Sequence, residues 1–312
     1  MGAHDLQTTV NYYNDPGDGS PPTPVYVGRY PPFPPFPPPN AVDTVPPVNR
    51  RSSQNSTQVT NQRPMISVPV TVTDVTGAEA TYTLDTHGFA FHRHASAEAA
   101  AGGGFHDETA LRERYYPECE GLLRSLTGAV RVVAFDHKVR RGPAFWHALG
   151  RNNSASRGPL HNAHVDQSYA GAEQRLREVL PDEADGLVQR RWQILNVWRP
   201  IKEVRTSPLA VADARSVADE DLVAAEIVYG GGQRVLESWT VKPGREGRGG
   251  HRWFYKWRMG AGEVVVIKCF DSVEGGGVAR RAPHCAVEDP GEGGGGEGCN
   301  RESVEVRCLV FY

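Results

Sequence analysis

The 312-residue sequence lacks any apolar run near the ~18 residues that a membrane-spanning helix needs. It also lacks an excess of either charge. Lys and Arg number 34 against 37 Asp and Glu, a formal net charge of −3. A nucleic-acid footprint or a polybasic membrane patch is therefore not expected. The opening MGAHDLQTTV has neither a basic nor an apolar signal region, so no secretory leader is expected. Leu6 stands where a myristoylation motif wants Ser or Thr. Cysteine is scarce: Cys119, Cys269, Cys285, Cys299 and Cys308 are an odd number with no CxxC pair. A reduced, cytoplasmic protein without a disulfide frame or a zinc-thiolate site is expected. No repeat of 20–50 residues is visible.

Proline, by contrast, is plentiful and unevenly spread. Most of the 24 prolines lie between Pro16 and Pro64, with PPFPPFPPP at 31–39. Proline fixes φ and removes a backbone donor, so this segment cannot enter a helix or a sheet interior. Residues 1–64 read as an extended arm and 65–312 as the folded domain. Phe33 and Phe36 are candidate anchors of the arm in grooves of the same chain or of a second copy, giving a possible homo-oligomer. An SH3-type ligand is the sharper alternative. Residues 50–63 read as a polar loop, and Gly291–Gly298 as a flexible one.

Ordered structure is expected from about Ile66. ISVPVTVTDV and ATYTL alternate with period two around Thr76-Gly77, which predicts a β-hairpin. From Asp107 to Leu126 the period is helical, with Pro117 placed to open a second helix and Gly128 to close it. Val130–Phe135 reads as a short apolar strand. Helical signals return at Ala172–Val179 and after Asp219. From Trp192 on, strand-like segments dominate: RWQILNVW, AEIVY, RVLESWTV, RWFYKWRM, EVVVIKCF, ARRAPHCAV and SVEVRCLVF. With the segment before His164 they make about eight short strands separated by Gly and Pro turns. The fold class is mainly β with flanking helices (α+β), as a sandwich, barrel or jelly roll.

The informative spot is His164-Val165-Asp166. On a strand, residues i and i+2 face the same way, so an imidazole and a carboxylate share one face. A third ligand should come from a strand distant in sequence, and His284 in RRAPHCAV is the best candidate. Two histidines and one carboxylate form a facial triad that leaves three positions of an octahedral Fe(II) open. Arg301 and Ser303 open the last strand and aim a guanidinium and a hydroxyl at one point. That pair suits the distal carboxylate of a dicarboxylic co-substrate. Arg307 shares the parity of Arg301, Ser303 and Glu305, and either takes the same role or is neutralised by Glu305. Alone, an HxD tripeptide or a single late histidine is weak evidence; the ordered set is much more specific. His161, on the opposite face from His164, reads as facing the substrate or supporting the site. His87, His92, His94 and His106 have no carboxylate at a useful spacing and read as ordinary polar residues.

Several blocks resemble the microbial hydroxylase/desaturase family of secondary metabolism related to the cephem 7α-methoxylase small subunit. They are HNAHVDQSYAGA, ILNVWRPIKEVRTSPLAVADARSV, RWFYKWRM, EVVVIKCFDS, APHCAVEDP and RESVEVRCLVF. The resemblance implies a double-stranded β-helix (jelly-roll, cupin-like) barrel using Fe(II), 2-oxoglutarate and O2. By position it makes His164, Asp166 and His284 the iron ligands and Arg301 the co-substrate anchor, with the choice between Arg301 and Arg307 open. Asn196 and Trp198 are expected to line the co-substrate pocket. The implied reaction is hydroxylation, desaturation or oxidative cyclisation of a small secondary metabolite or its amino-acid precursor. Related halogenating enzymes lack the carboxylate, so Asp166 disfavours halogenation. Arg199, Arg205, Asp213 and Arg215 are candidates either for holding a carboxylated substrate or for structural ion pairs. Two rival classes remain: a non-catalytic barrel that partners another biosynthetic enzyme, and a zinc hydrolase with a general base and no role for Arg301.

Overall fold

The computed structural model describes residues 2–27, 63–102, 104–142, 157–229, 232, 234–244, 249–291 and 300–312. The PPFPPFPPP segment, the loop after Gly142 and almost all of Gly291–Gly298 lie outside these residues, as do the expectations placed on them. Residues 50–62 and Cys299 also lie outside them, whereas Arg63 is described.

Among the described residues fourteen strands form two sheets. They are, in chain order, β1 (Leu6–Tyr13), β2 (Val25–Val27), β3 (Met65–Asp74), β4 (Phe89–Arg93), β5 (Arg131–Arg140), β6 (His164–Val165) and β7 (Trp192–Pro200). There follow β8 (Leu209–Ala212), β9 (Leu222–Tyr229), β10 (Arg234–Val241), β11 (Trp253–Tyr255), β12 (Glu263–Asp271), β13 (His284–Ala286) and β14 (Ser303–Phe311). The larger sheet runs β1-β3-β11-β8-β13-β6-β10-β9-β2, and the smaller runs β4-β12-β7-β14-β5.

The central strand of the smaller sheet is covered on both faces. All nine residues of β7, WQILNVWRP, are buried. Its Leu195 and Val197 pack outward with Val264, Val266, Val304 and Val306 beneath the helix Tyr116–Thr127. That helix supplies Tyr116, Cys119 and Leu123 at the i, i+3, i+7 spacing of one stripe. A fully buried leucine such as Leu123 contributes roughly 1.5–3 kcal/mol. As the sequence predicts, Pro117 lies in its first turn and Gly128, at φ 71°, ends it. The other face of β7 presents Ile194, Asn196 and Trp198 toward the larger sheet, where Ile194 packs with Val165 and Trp198 with Val211.

Three expectations need correction. The two sheets face each other but share no ladder among the described residues, so the expected barrel is not closed. Ordered structure begins well before Ile66: β1 pairs with β3 from Leu6↔Val72 to Tyr13↔Met65. The alternating burial of LQTTVNYY carries the signal, which the proline-rich segment beside it masked. The hairpin around Thr76-Gly77 is absent, because β3 pairs with β1 and in parallel with β11 instead. Residues Glu79–Thr81 and Leu84–His87 are short helical turns.

Candidate active site

Strands β6 and β13 lie side by side in the larger sheet, antiparallel, with His164 directly opposite His284. Opposed residues on neighbouring strands project to the same face. Their rings lie 4.5 Å apart between centroids, tilted by 55° rather than stacked. Asp166, two residues after His164, completes the group: Asp166 Oδ1 is 3.5 Å from His164 Nε2 and 3.9 Å from His284 Nε2. One donor atom from each of the three side chains lies within 4.8 Å of the others. A separation of 120 residues along the chain is thus closed by a single ladder position.

The hydrogen bonds fix which atoms are free. His164 Nδ1 is 2.8 Å from the Asn162 carbonyl oxygen, and His284 Nδ1 is 3.2 Å from that of Ala282. A carbonyl only accepts, so each Nδ1 carries the proton and each Nε2 keeps its lone pair. Asp166 Oδ2 accepts from Asn196 Nδ2 and from Arg307 Nε, both at 2.8 Å. Oδ1 is left facing the two imidazoles. This is the donor set a divalent cation needs: two neutral imidazole nitrogens and one carboxylate oxygen, each held from behind.

Electrostatics agree with that state. Burial raises the Asp166 carboxyl, but the Arg307 guanidinium, the largest opposing charge, helps to hold the group well below its usual range. Burial, helped by His164, pushes His284 down to about 4, so the ring is neutral at physiological pH.

The two arginines left open by the sequence stand in different surroundings. Arg307 is saturated: Nε meets Asp166, Nη1 meets Asp136 at 2.9 Å and Nη2 meets Glu305 at 2.8 Å. Arg301 is 5% exposed and has no carboxylate partner among the described residues. It donates Nη1 to the Ser207 carbonyl at 2.8 Å and lies over the Trp198 ring at 5.4 Å. Its Nε is buried without a partner among the described residues. Burial, with Arg140 acting in the same direction, pushes this guanidinium down to about 9. A buried, uncompensated cation is costly unless an anion joins it, and a dicarboxylate fits that need. Ser303 is buried at the start of β14, opposite Pro200 and Arg140. His161 lies near enough to Arg301 to feel its charge, with a buried Nε2 that finds no partner among the described residues.

Asn196 donates Nδ2 to Asp166 Oδ2, and its Oδ1 is buried with no partner among the described residues. Of the four polar residues left between two roles, the three arginines are engaged structurally. Arg199 is fully buried and bonded to Tyr115, His94 and Ala261. Arg205 pairs with Glu203, and Arg215 with Asp213. Sequence reasoning missed the contribution of β5, which it ended at Phe135. Asp136, Lys138 and Arg140 all line a cavity beside the triad. Their period-two alternation in RVVAFDHKVR was the available signal.

A family profile described as "Oxidoreductase/YMDC permease-like domain" matches residues 10–311. No helix among the described residues is long and apolar enough to cross a membrane. The chain is 33% identical to "Hydroxylase/desaturase efuI" of Hormonema carpetanum, over 78% of this chain and 83% of that protein. It is 32% identical to "Alpha-ketoglutarate-dependent dioxygenase phiK" of a fungal species, over 74% of this chain and 80% of that protein. The chain belongs to this family of fungal oxygenases. Among solved structures, an "iron and alpha-ketoglutarate-dependent endoperoxidase NvfI with different conformation" superposes with a TM-score of 0.76 at 23% identity. The match covers 100% of this chain and 99% of that one, and shows a shared fold.

Proposed function

We propose that this member of the family oxidises a small secondary metabolite with Fe(II), 2-oxoglutarate and O2, in a pocket between the two facing sheets of an open jelly roll. His164 Nε2, His284 Nε2 and Asp166 Oδ1 hold the iron, and Arg301 takes the distal carboxylate of 2-oxoglutarate. The observation that carries the reading is the pair of Nδ1–carbonyl contacts, which frees both Nε2 lone pairs beside one carboxylate oxygen. Bound there, the ferrous ion and the keto acid would activate O2, the oxidant for removing a hydrogen from the substrate. Hydroxylation, desaturation and cyclisation differ in how the substrate is then held.

The protein's own work is positioning. Asn196 and Arg307 pin Asp166 Oδ2, so Oδ1 stays in place. The Asn162 and Ala282 carbonyls set the ring orientations. Trp198 supports the Arg301 guanidinium from one face and limits its movement. Arg307 already binds three carboxylates, which favours Arg301 as the co-substrate anchor. A cytoplasmic setting accords with Cys119, Cys269, Cys285 and Cys308, all buried free thiols.

The test is anaerobic titration of Fe(II) and then 2-oxoglutarate, followed by the visible absorption of the ferrous keto-acid chelate. Asp166→Ala should lose iron binding. Arg301→Gln should keep iron but weaken 2-oxoglutarate about 10- to 100-fold, the range of a charge-assisted hydrogen-bonded pair. Unaltered 2-oxoglutarate affinity in Arg301→Gln, or unaltered iron affinity in Asp166→Ala, defeats the assignment.

A further inference from the structure

A cavity of ≈ 480 Å3 opens beside the triad, with His164 and Asp166 in its wall. Its size is that of a small-molecule site. Much of the wall is apolar, including Phe135, Leu160, Val179, Ile227, Leu236 and Trp239. The charged part of the wall is unbalanced: seven Arg and Lys side chains face three carboxylates.

The three carboxylates are already engaged. Asp136 binds Arg307 at 2.9 Å and Lys138 at 3.3 Å. Glu178 binds Arg175 at 3.0 Å and Arg234 at 2.5 Å, and Asp166 binds Arg307 at 2.8 Å. Arg63, Arg140 and Arg157 remain without a carboxylate partner among the described residues. Arg63 has a structural task, clasping the Thr23 and Glu226 carbonyls at 2.9 Å and 2.7 Å. Among the described residues Arg140 makes one hydrogen bond, from Nη1 to the Gly158 carbonyl at 3.0 Å. Arg157 makes no ion pair among the described residues.

Arg140 and Arg157 lie close enough to oppose each other's charge. Glu305, the carboxylate that acts most strongly on Arg140, is itself bound by Arg307 at 2.8 Å. Two like charges sharing a partly desolvated wall without a counterion are unfavourable, and an arriving anion relieves that cost. Trp239 adds on the same wall a buried Nε1 donor with no partner among the described residues. The wall therefore offers donors in surplus and wants acceptors.

We propose that the substrate is an apolar molecule carrying a carboxylate, and that Arg140 and Arg157 bind this group while the apolar wall holds its body. The proposal rests on the oxygenase reading only for the word substrate; the site itself needs neither iron nor 2-oxoglutarate. Docked this way, the acid end sits on the cationic wall and the body runs toward His164 and Asp166. The acid then sets which carbon faces the metal position.

The test is equilibrium dialysis of the full-length protein with 1-naphthoate, dodecanoate and the methyl ester of each. The acids should bind about 10-fold or more tightly than their esters, and added salt should weaken only the acids. Arg140→Gln with Arg157→Gln should abolish the preference, leaving ester, Fe(II) and 2-oxoglutarate affinities as they were. The double lysine variant should retain much of the preference, which separates charge from folding. Equal binding of acid and ester, no binding of either acid, or an acid preference that survives the double glutamine variant overturns the proposal. If that variant loses 2-oxoglutarate instead, the co-substrate occupies this wall and the Arg301 assignment falls too. If the wild type binds the acids but never Fe(II) or 2-oxoglutarate, only the oxygenase reading fails.

Discussion

Arg307 donates Nε to Asp166 Oδ2 at 2.8 Å, while Oδ1 of the same carboxylate faces the two imidazole Nε2 atoms at 3.5 Å and 3.9 Å. One residue of β14 thereby orients a group beside β6, and its other two nitrogens tie it to Asp136 on β5 and Glu305 on β14. The guanidinium is the counter-charge for three carboxylates in a buried setting. Its planar fork reaches all three, which an ammonium cannot do.

Replacing Arg307 by Gln should therefore act twice. Removing the shared partner of buried charges should cost roughly 3–5 kcal/mol of stability. Loss of the bond that orients Asp166 should weaken metal binding about 10- to 100-fold. Urea denaturation and Mn(II) titration by electron paramagnetic resonance measure the two effects. Metal affinity equal to that of the wild type would show that Arg307 does not position Asp166.

Much of this site was legible because its parts obey local rules. His164 and Asp166 share a face through strand periodicity alone, and His284 stood out as the only histidine in the late strands after RWFYKWRM. Their meeting depends on the ladder between β6 and β13, which pairing register and not residue type decides. The choice between Arg301 and Arg307 was not legible, since both share one strand parity. Only the positions of Asp136, Asp166 and Glu305 separate a saturated guanidinium from one with capacity to spare. The first strand was lost for a compositional reason: β1 lies next to a proline-rich segment, while its partner β3 begins at residue 65.

Trp198 should matter to co-substrate binding through Arg301. The guanidinium lies 5.4 Å from the ring centroid, and such a contact is worth roughly 0.5–2 kcal/mol. Trp198→Leu should raise the 2-oxoglutarate Kd by about 2- to 30-fold with little change in Fe(II) affinity. Calorimetric titration of the two ligands separates these outcomes. A larger loss for iron than for the keto acid would contradict the role given to Trp198.

A buried ionic knot at the far end of β12 should control acid stability. Asp271 is 0% exposed and accepts from Lys268 Nζ at 2.7 Å, Arg191 Nη2 at 2.8 Å and Gln193 Nε2 at 2.7 Å. Burial raises its carboxyl, but Arg191 and Lys268 prevail and the group lies below its ordinary value. A carboxyl depressed on folding stabilises fully above its unfolded pKa of about 3.9, and that contribution disappears as pH falls through the lower folded value. Asp271→Asn should cost roughly 3–5 kcal/mol at neutral pH, because Lys268 is left buried without its full charge partner. The variant's loss should shrink below about pH 4, where wild type loses the same term. Parallel wild-type and variant curves of stability against pH across that range would refute the assignment.

Gly88 should link a turn to the metal site. It caps Leu84–His87 with φ 82°, and an added Cβ would stand 2.9 Å from Ala282 Cβ and 3.1 Å from the Arg281 carbonyl. Ala282 is the residue whose carbonyl fixes the His284 ring. Pushing it also strains the chain of bonds from Lys268 N to the Gly88 carbonyl and from Ala282 N to the Lys268 carbonyl, at 2.8 Å and 2.7 Å. Gly88→Ala should thus combine about 1–2 kcal/mol of left-handed strain with roughly 1–3 kcal/mol of overpacking. It should also lower metal affinity by displacing His284. Gly128 is the control: it has φ 71° but open space where a Cβ would go. Gly128→Ala should lose the strain energy alone and bind metal as wild type does. Equal metal affinity in the two variants would mean that the turn at Gly88 supports the fold without setting the geometry of His284.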